Sequence, residues 1–380
     1  MIKLNQLCEI NIGKTPSRAE ISYWGIGERW ISIADLKEKY ITSTKEQITK
    51  LAIEQCNMKS IPKNTVIMSF KLTIGKVAIT GEDAYSNEAI ANFPILDKEK
   101  LIPEYLYYAL QTVNFLGNTD RAVMGATLNK AKLNEVKIPW VNTSLQRKLV
   151  DILDKAQELI AKRKEQIQAC DELIKSQFIE LFGELKDEVE LSQYISSLTA
   201  GKSLAGEAEC KNKVLKTGSV SYDYFDANEV KNLPLDYEPL ESHLVKQGNV
   251  IISRMNTAEL VGATGYVWTT PDNTYLPDRL WRAEMKNNVN PIFLWQLLIQ
   301  DSTKGKIRRI ASGTSGSMKN ISKQGLLGIK VINVDIQKQN QFAQFVQQVN
   351  KLKFEMEQSL AELENNFNSL MQRAFKGELF

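Results

Sequence analysis

Gln146–Gly183 reads QRKLVDILDKAQELIAKRKEQIQACDELIKSQFIELFG, and this stretch decides the architecture. Leu149, Leu153, Ala156, Ile160, Arg163, Ile167, Cys170, Ile174, Gln177 and Leu181 step alternately by four and three, the spacing of a heptad seam. The same register returns near the C-terminus as Phe342, Val346, Val349, Lys353, Met356, Leu360, Leu363, Phe367, Leu370 and Ala374. Arg163, Gln177 and Lys353 are its polar breaks. Thr143 and Gln146 have capping-box spacing, and Asp335 is placed to cap the second helix. Gly183 and Gly377 are expected to supply left-handed stops. Each helix is predicted to run roughly 55–60 Å. A helix that long with one apolar stripe needs a partner, and the partner at hand is the other helix. A parallel pair would oblige the intervening segment to carry the chain back ~55 Å. The expected arrangement is therefore an antiparallel coiled coil.

Outward from the helices, the sequence repeats. Leu4-Asn5-Gln6-Leu7 and the following Gly13-Lys14-Thr15 return as Leu191-Ser192-Gln193-Tyr194 and Gly201-Lys202-Ser203. Ile61–Ser69 returns as Val245–Ser253, Tyr85–Ile90 as Tyr275–Leu280, and Pro103–Gln111 as Pro291–Ile299. Val66–Phe70, Val250–Ser253, Trp30–Ile33, Lys76–Thr80 and Gly265–Trp268 read as short strands. Segments 103–112 and 291–300 read as helices. The fold class is α+β: two tandem mixed α/β domains separated by two long helices, with an internal pseudo-two-fold repeat. The expected boundaries are 1–143 and 186–335 for the domains, and 144–185 and 336–380 for the helices.

Composition excludes several chemistries. The 380 residues are 43% apolar and 24% charged, as in a soluble globular protein of two or three domains. No run approaches the ~18 apolar residues of a membrane helix, and the first residues lack a secretory apolar core. Cys8, Cys56, Cys170 and Cys210 form no CxxC pair, which fits a reducing cytoplasm. His243 is the single histidine, so no His-rich zinc site is expected. The two Gly-Lys-Thr/Ser stretches lack the earlier glycine of a P-loop, since Cys8 and Ser196 stand there. Gly25-Ile26-Gly27 has no third glycine, and no [DNS]-P-P-[YF] methyltransferase tetrapeptide is present. Asp272, Glu284 and Lys286 have the order of a metal-dependent nuclease set, but Asp272 lies in a turn sequence. No catalytic or metal site is assigned.

Charge placement is the positive signal. Net charge is only +3. Residues 302–334, however, hold Lys304, Lys306, Arg308, Arg309, Lys319, Lys323 and Lys330 without an acid. The matching stretch 121–134 holds Arg121, Lys130 and Lys132 without an acid. Both carry small-residue loops, Gly125-Ala126-Thr127 and Ser312–Ser317. A basic loop at one place in both repeats is what phosphate contact requires.

The ordered set of segments resembles the specificity subunit of a Type I restriction-modification system. The resemblance spans the chain and rests on the repeat, on Ile74-Gly75-Lys76-Val77-Ala78, on Leu145-Gln146, on Ser176–Gly183, and on Met371–Leu379. Leu260–Thr264 departs from the cleaner Thr73–Val77. The resemblance implies that 1–143 and 186–335 are target recognition domains, each reading half of a split double-stranded DNA site, with the helices as spacer. Lys14, Lys71, Lys76, Lys202 and Arg254 join Arg121, Lys130, Lys132, Lys304, Lys306, Arg308, Arg309 and Lys319 as candidate DNA-binding residues. It further implies a non-catalytic, cytoplasmic subunit that holds no cofactor. Two modification subunits would use S-adenosylmethionine, and restriction subunits would use ATP and Mg. A stand-alone coiled-coil scaffold and a nuclease remain the alternatives.

Overall fold

Val66–Ser69 and Val250–Ser253 are buried along their whole length, so each becomes an interior strand around which a sheet is built. The computed structural model describes residues 1–115, 128–313 and 318–379. Its contacts divide the chain into two units, Met1–Lys164 with Gln358–Phe380, and Glu165–Glu357.

The first unit contains β1 (Ile2–Lys3), β2 (Asn11–Ile12), β3 (Trp24–Ile31), β4 (Tyr40–Ile41), β5 (Glu46–Ile48), α1 (Lys50–Gln55), β6 (Val66–Ser69), β7 (Val77–Thr80), β8 (Tyr85–Ser86), β9 (Ile90–Phe93), α2 (Pro103–Gln111), α3 (Lys130–Glu135) and β10 (Lys137–Ile138). The start of α4 (Thr143–Phe182) completes its N-terminal part. Its sheets have the orders β2-β9-β6-β7-β4, β5-β3-β8 and β1-β10. β3–β8 and β4–β7 are parallel and the other pairs antiparallel.

The second unit contains β11 (Glu188–Glu190), β12 (Ile195–Thr199), β13 (Lys213–Leu215), β14 (Val230–Asn232), β15 (Val250–Ser253), β16 (Met255–Asn256), β17 (Thr264–Tyr266), β18 (Thr274–Tyr275), β19 (Leu280–Met285), α5 (Pro291–Ile299), α6 (Asp301–Ile310), β20 (Lys319–Asn320), α7 (Lys323–Leu327), β21 (Lys330–Ile332) and the start of α8 (Ile336–Lys376). Its sheets run β12-β19-β15-β17, β14-β13-β18 and β11-β21, with the extra pair β16-β20. Apart from β4, which has no counterpart here, the first three orders are those of the first unit, and the parallel pair β13–β18 matches β3–β8. The sequence repeat is thus a repeat of topology.

Each unit contains a segment of both long helices, and in each the segments are antiparallel. In the first, Leu149 and Leu153 of α4 share a core with Met371, Ala374 and Phe375 of α8, and Lys164 pairs with Glu364 at 2.8 Å. In the second, Phe178 and Phe182 pack their rings against Phe342 at 5.4 and 5.6 Å, and Lys353 pairs with Asp171. The seam departs from expectation at its C-terminal end. Phe178 and Phe182 are buried where Gln177 and Leu181 were expected, and Leu181 is exposed. Steps of four through Cys170, Ile174, Phe178 and Phe182 turn this end toward Phe293 of the globular core. A helix packing on a domain need not keep the 3.5-residue period of a coiled coil.

The helix ends show two further corrections. Gly377 is left-handed at φ 78°, as expected, but Gly183 is not among the positive-φ glycines. Gly183 serves close approach instead: a Cβ there would lie 2.5 Å from the Ile179 carbonyl oxygen. Gln146 does not form a capping box, because Asn142 accepts from the Leu145 amide at 2.9 Å and caps α4. Gln146 is fully buried and reaches across to α2, accepting from the Ile102 amide at 3.1 Å. Its amide group donates to the carbonyls of Lys100 at 2.7 Å and Val141 at 2.8 Å. Gln339 repeats this clamp in the second unit, accepting from the Asn290 amide at 2.9 Å and donating to Val334 O at 2.7 Å. Asp335 caps α8 as expected, accepting from the amides of Gln337 and Lys338.

Candidate nucleic-acid interface

The two Gly-Lys-Thr/Ser turns have a structural role that the P-loop comparison lacked. A Cβ on Gly13 would sit 2.2 Å from the Asn87 carbonyl oxygen, and one on Gly201 would sit 1.8 Å from that of Leu276. Only glycine lets the chain pass this close to the turn ahead of β9 or β19. The next hydroxyl pins that turn: Thr15 donates to Glu88, and Ser203 to Asp278. The Thr15 hydroxyl holds the Glu88 carboxyl below the usual range, with Lys71 adding to the effect. Glu88 therefore remains ionised beside Lys71.

Backbone bonds bring the other loops to this edge in both units. At the end of β6 the Phe70 amide donates to Ala89 O, while Phe70 O accepts from Leu128 N at 3.3 Å, just before α3. At the end of β15 the Arg254 amide donates to Arg279 O at 3.0 Å, and Arg254 O accepts from Ile321 N at 3.0 Å, just before α7. The first edge thereby gathers Lys71, Lys76, Lys130 and Lys132. Lys76 and Lys130 are exposed, and neither has an ion-pair partner among the described residues. The Lys71 ammonium lies 5.4 Å from the Phe70 ring. Lys14 leaves the neighbouring turn, and its ammonium donates to Cys56 O at 2.6 Å. Arg121 and Gly125-Ala126-Thr127 lie outside the described residues.

In the second unit the edge gathers Arg254, Arg279 and Lys319. Arg254 lies over the Trp281 ring at 5.5 Å and reaches Asn320 Oδ1 at 3.4 Å. Lys319 donates to Gly313 O at 2.6 Å. Lys202 stands near Tyr237, 5.9 Å from its ring. Part of the small-residue loop, 314–317, lies outside the described residues. Sequence reading missed the exposed Arg279. The repeat already sets Asp278-Arg279 against Glu88-Ala89, but the alanine in the first unit carries no charge that would have drawn attention to Arg279.

The basic run 302–334 does not form one basic surface. The Lys304 side chain is 12% exposed and ion-paired with Asp223, whose backbone carbonyl accepts from Trp295 Nε1 at 2.9 Å. Lys306 pairs with Glu188 at 2.6 Å, and Lys330 with Glu190 at 3.6 Å. Arg308 donates to Glu259 O at 2.7 Å and so braces the β15–β17 loop, and Lys323 donates to Leu198 O at 2.6 Å. Arg309 is exposed. The structure thus brings Arg254 and Lys319 together, uses Arg308 to support their loop, and commits Lys304 and Lys306 to internal acids.

The nuclease-like set is not assembled as a metal cluster. Glu284 on β19 is paired with Arg282 at 2.7 Å, while Asp272 is exposed in the turn before β18. Among the described residues no group of three His, Cys, Asp or Glu is placed to hold a metal ion. Among them too, no helix is long and apolar enough to cross a membrane.

Residues 1–169 match the family model described as the Type I restriction modification DNA specificity domain. The MjaIX specificity subunit of Methanocaldococcus jannaschii is 31% identical over 196 residues, covering 49% of this chain and 45% of the relative. The EcoKI specificity subunit of Escherichia coli is 24% identical over 205 residues, covering 52% and 43%. The matched stretches thus span less than half the length of these curated relatives. Among solved structures, the Type I restriction-modification S subunit of M. genitalium superposes with TM-score 0.54 at 15% identity, covering 98% of this chain and 95% of its own. A chain from work on complex assembly and conformational transition of the type I R-M system gives TM-score 0.61 at 14% identity, covering 100% and 97%. At these identities the likeness shows the fold, which is that of tandem mixed α/β domains with long paired helices.

Proposed function

We propose that the whole chain, whose residues 1–169 match the model of the Type I restriction modification DNA specificity domain, is the specificity subunit of such a system. Each unit reads one half of a bipartite double-stranded DNA site, and the long helices act as the spacer. The observation that carries this reading is the edge built twice from the same backbone bonds, with cationic side chains in each unit. Phosphate contacts by such side chains supply affinity and register, while base-edge contacts supply sequence. The chain itself is non-catalytic and cytoplasmic. Methylation by S-adenosylmethionine and ATP- and Mg-dependent restriction belong to two modification subunits and to restriction subunits that it recruits.

Methylome sequencing of the host with and without this gene tests the assignment. The expected result is one bipartite motif whose methylation disappears with the gene. Exchanging residues 1–143 for those of a relative should change one half of the motif only. A motif indifferent to the gene, or an exchange that alters both halves, overturns the reading. A stand-alone scaffold predicts the first of these failures.

A further inference from the structure

Leu72 sits at the tip of the β6–β7 hairpin with φ 64° and 86% of its surface exposed. Left-handed backbone is rare for a bulky side chain, and it persists where the surroundings enforce it. Here Ser69 does so. Its hydroxyl donates to Thr73 O and accepts from the Lys76 amide at 3.1 Å, and its carbonyl accepts from Gly75 N at 2.9 Å. The neighbours on either side turn inward, Phe70 fully buried and Ile74 packed on the core. The fold therefore holds one apolar side chain out in solvent, between Lys71 and Lys76 and beside the α3 end that carries Lys130.

The counterpart loop of the second unit is held down against β20. Met255–Asn256 pairs with Lys319–Asn320, and Val261 is buried. The Ser253 carbonyl accepts from Gly262 N at 2.8 Å, as that of Ser69 does from Gly75, but the Ser253 hydroxyl has no hydrogen-bond partner among the described residues, so the second lock on the tip is missing. The outward tip is a feature of the first unit alone.

We propose that Leu72 is an apolar wedge that enters a base step of the half-site read by the first unit. The inference rests on the DNA-reading assignment and deepens it. Lysines flanking the tip suit a polyanion, and an apolar tip seated among phosphate contacts unstacks a base step rather than reading a base edge. Unstacking is then confined to one half of the site.

The test uses the complex isolated from its host through a tag on the full chain. The probe is a duplex carrying the methylated motif, with 2-aminopurine stepped through each half. Apart from the base that the modification subunits flip out for methylation in each half, a fluorescence rise is expected at one step in the first unit's half and at none in the other. Leu72→Gly accepts the left-handed backbone without strain, so its melting temperature should not fall below that of the wild type. It should lose the fluorescence rise and about tenfold in affinity for the motif, while the salt dependence stays as in the wild type. Leu72→Phe should keep the signal. Leu72→Gly that retains both signal and affinity overturns the wedge, as does a wild-type complex with no rise at any step besides the flipped bases. Loss of co-purifying subunits with unchanged DNA binding would make the tip a protein-docking contact and also overturn it. If no bipartite motif depends on the gene, the DNA-reading assignment fails first and the wedge falls with it.

Discussion

The two edges share one backbone frame and differ in what they present. In the first unit, lysines surround a projecting leucine. In the second, Arg254 and Arg279 lie side by side, and the hairpin loop is paired with β20 and braced by Arg308. What repeats is what the backbone requires: the close-approach glycines Gly13 and Gly201, the pinning hydroxyls Thr15 and Ser203, and the clamps Gln146 and Gln339. What differs faces solvent. Apart from the pinned carboxylates Glu88 and Asp278, the frame's hydrogen bonds do not depend on outward side chains, so these can be exchanged on one topology.

The clamps should give the largest effect and break the comparison if they are not equivalent. Gln146→Leu leaves the Ile102 amide and two carbonyls buried without partners, at a cost of about 2–3 kcal/mol. Hydrogen exchange should quicken at the start of α2 and leave α5 unchanged. Gln339→Leu should do the reverse. Effects confined to one variant would show that the two clamps are not the same device.

Next in size is the buried pair of the second unit. Lys304→Met leaves the Asp223 carboxylate unpaired and should cost about 1–3 kcal/mol. Adding Asp223→Asn should recover part of it. Lys306→Ala removes a more exposed pair and should change stability by less than about 1 kcal/mol. Thermal melts rank the three variants. At a temperature where all are folded, the salt dependence of DNA binding should be unchanged in Lys304→Met, whereas a flatter slope would put Lys304 on the DNA.

The smallest effects sharpen the comparison between the edges. Lys76→Ala and Lys130→Ala in the first unit, and Arg279→Ala in the second, should each lower the log–log salt slope by about 0.9 if each side chain holds one phosphate. Binding titrations across salt concentrations measure this. A change at the lysines with none at Arg279 would assign Arg279 to base reading, because arginine is suited to the paired acceptors of guanine.

Much of the fold was legible because it is periodic or local. The heptads located both helices, the apolar runs located β6 and β15, and Pro103 and Pro291 marked the starts of α2 and α5. Asp335 was recognisable as a cap from its position alone. Gln146 was misread as a capping partner because its target, the Ile102 amide, lies 44 residues away. The seam was misread at Phe178 because the competing surface, Phe293, belongs to another element.

By itself the sequence determined the repeat, the core strands β6 and β15, the helices α2 and α5 and the antiparallel pairing of the long helices. Each follows from spacing within the chain and from the length of its connections. The stretch from Lys304 to Arg309, read as part of a basic loop, is instead the helix α6. Only the tertiary structure decided which charges face outward. The run 302–334 contains no acid, yet Lys304 meets Asp223 from 81 residues earlier and Lys306 meets Glu188 from 118 residues earlier. Neutralisation is a matter of distance in space, falling off over a few ångströms. A window along the chain registers only the sign of neighbouring charges, so it could find the basic segments but not which lysines in them were already paired.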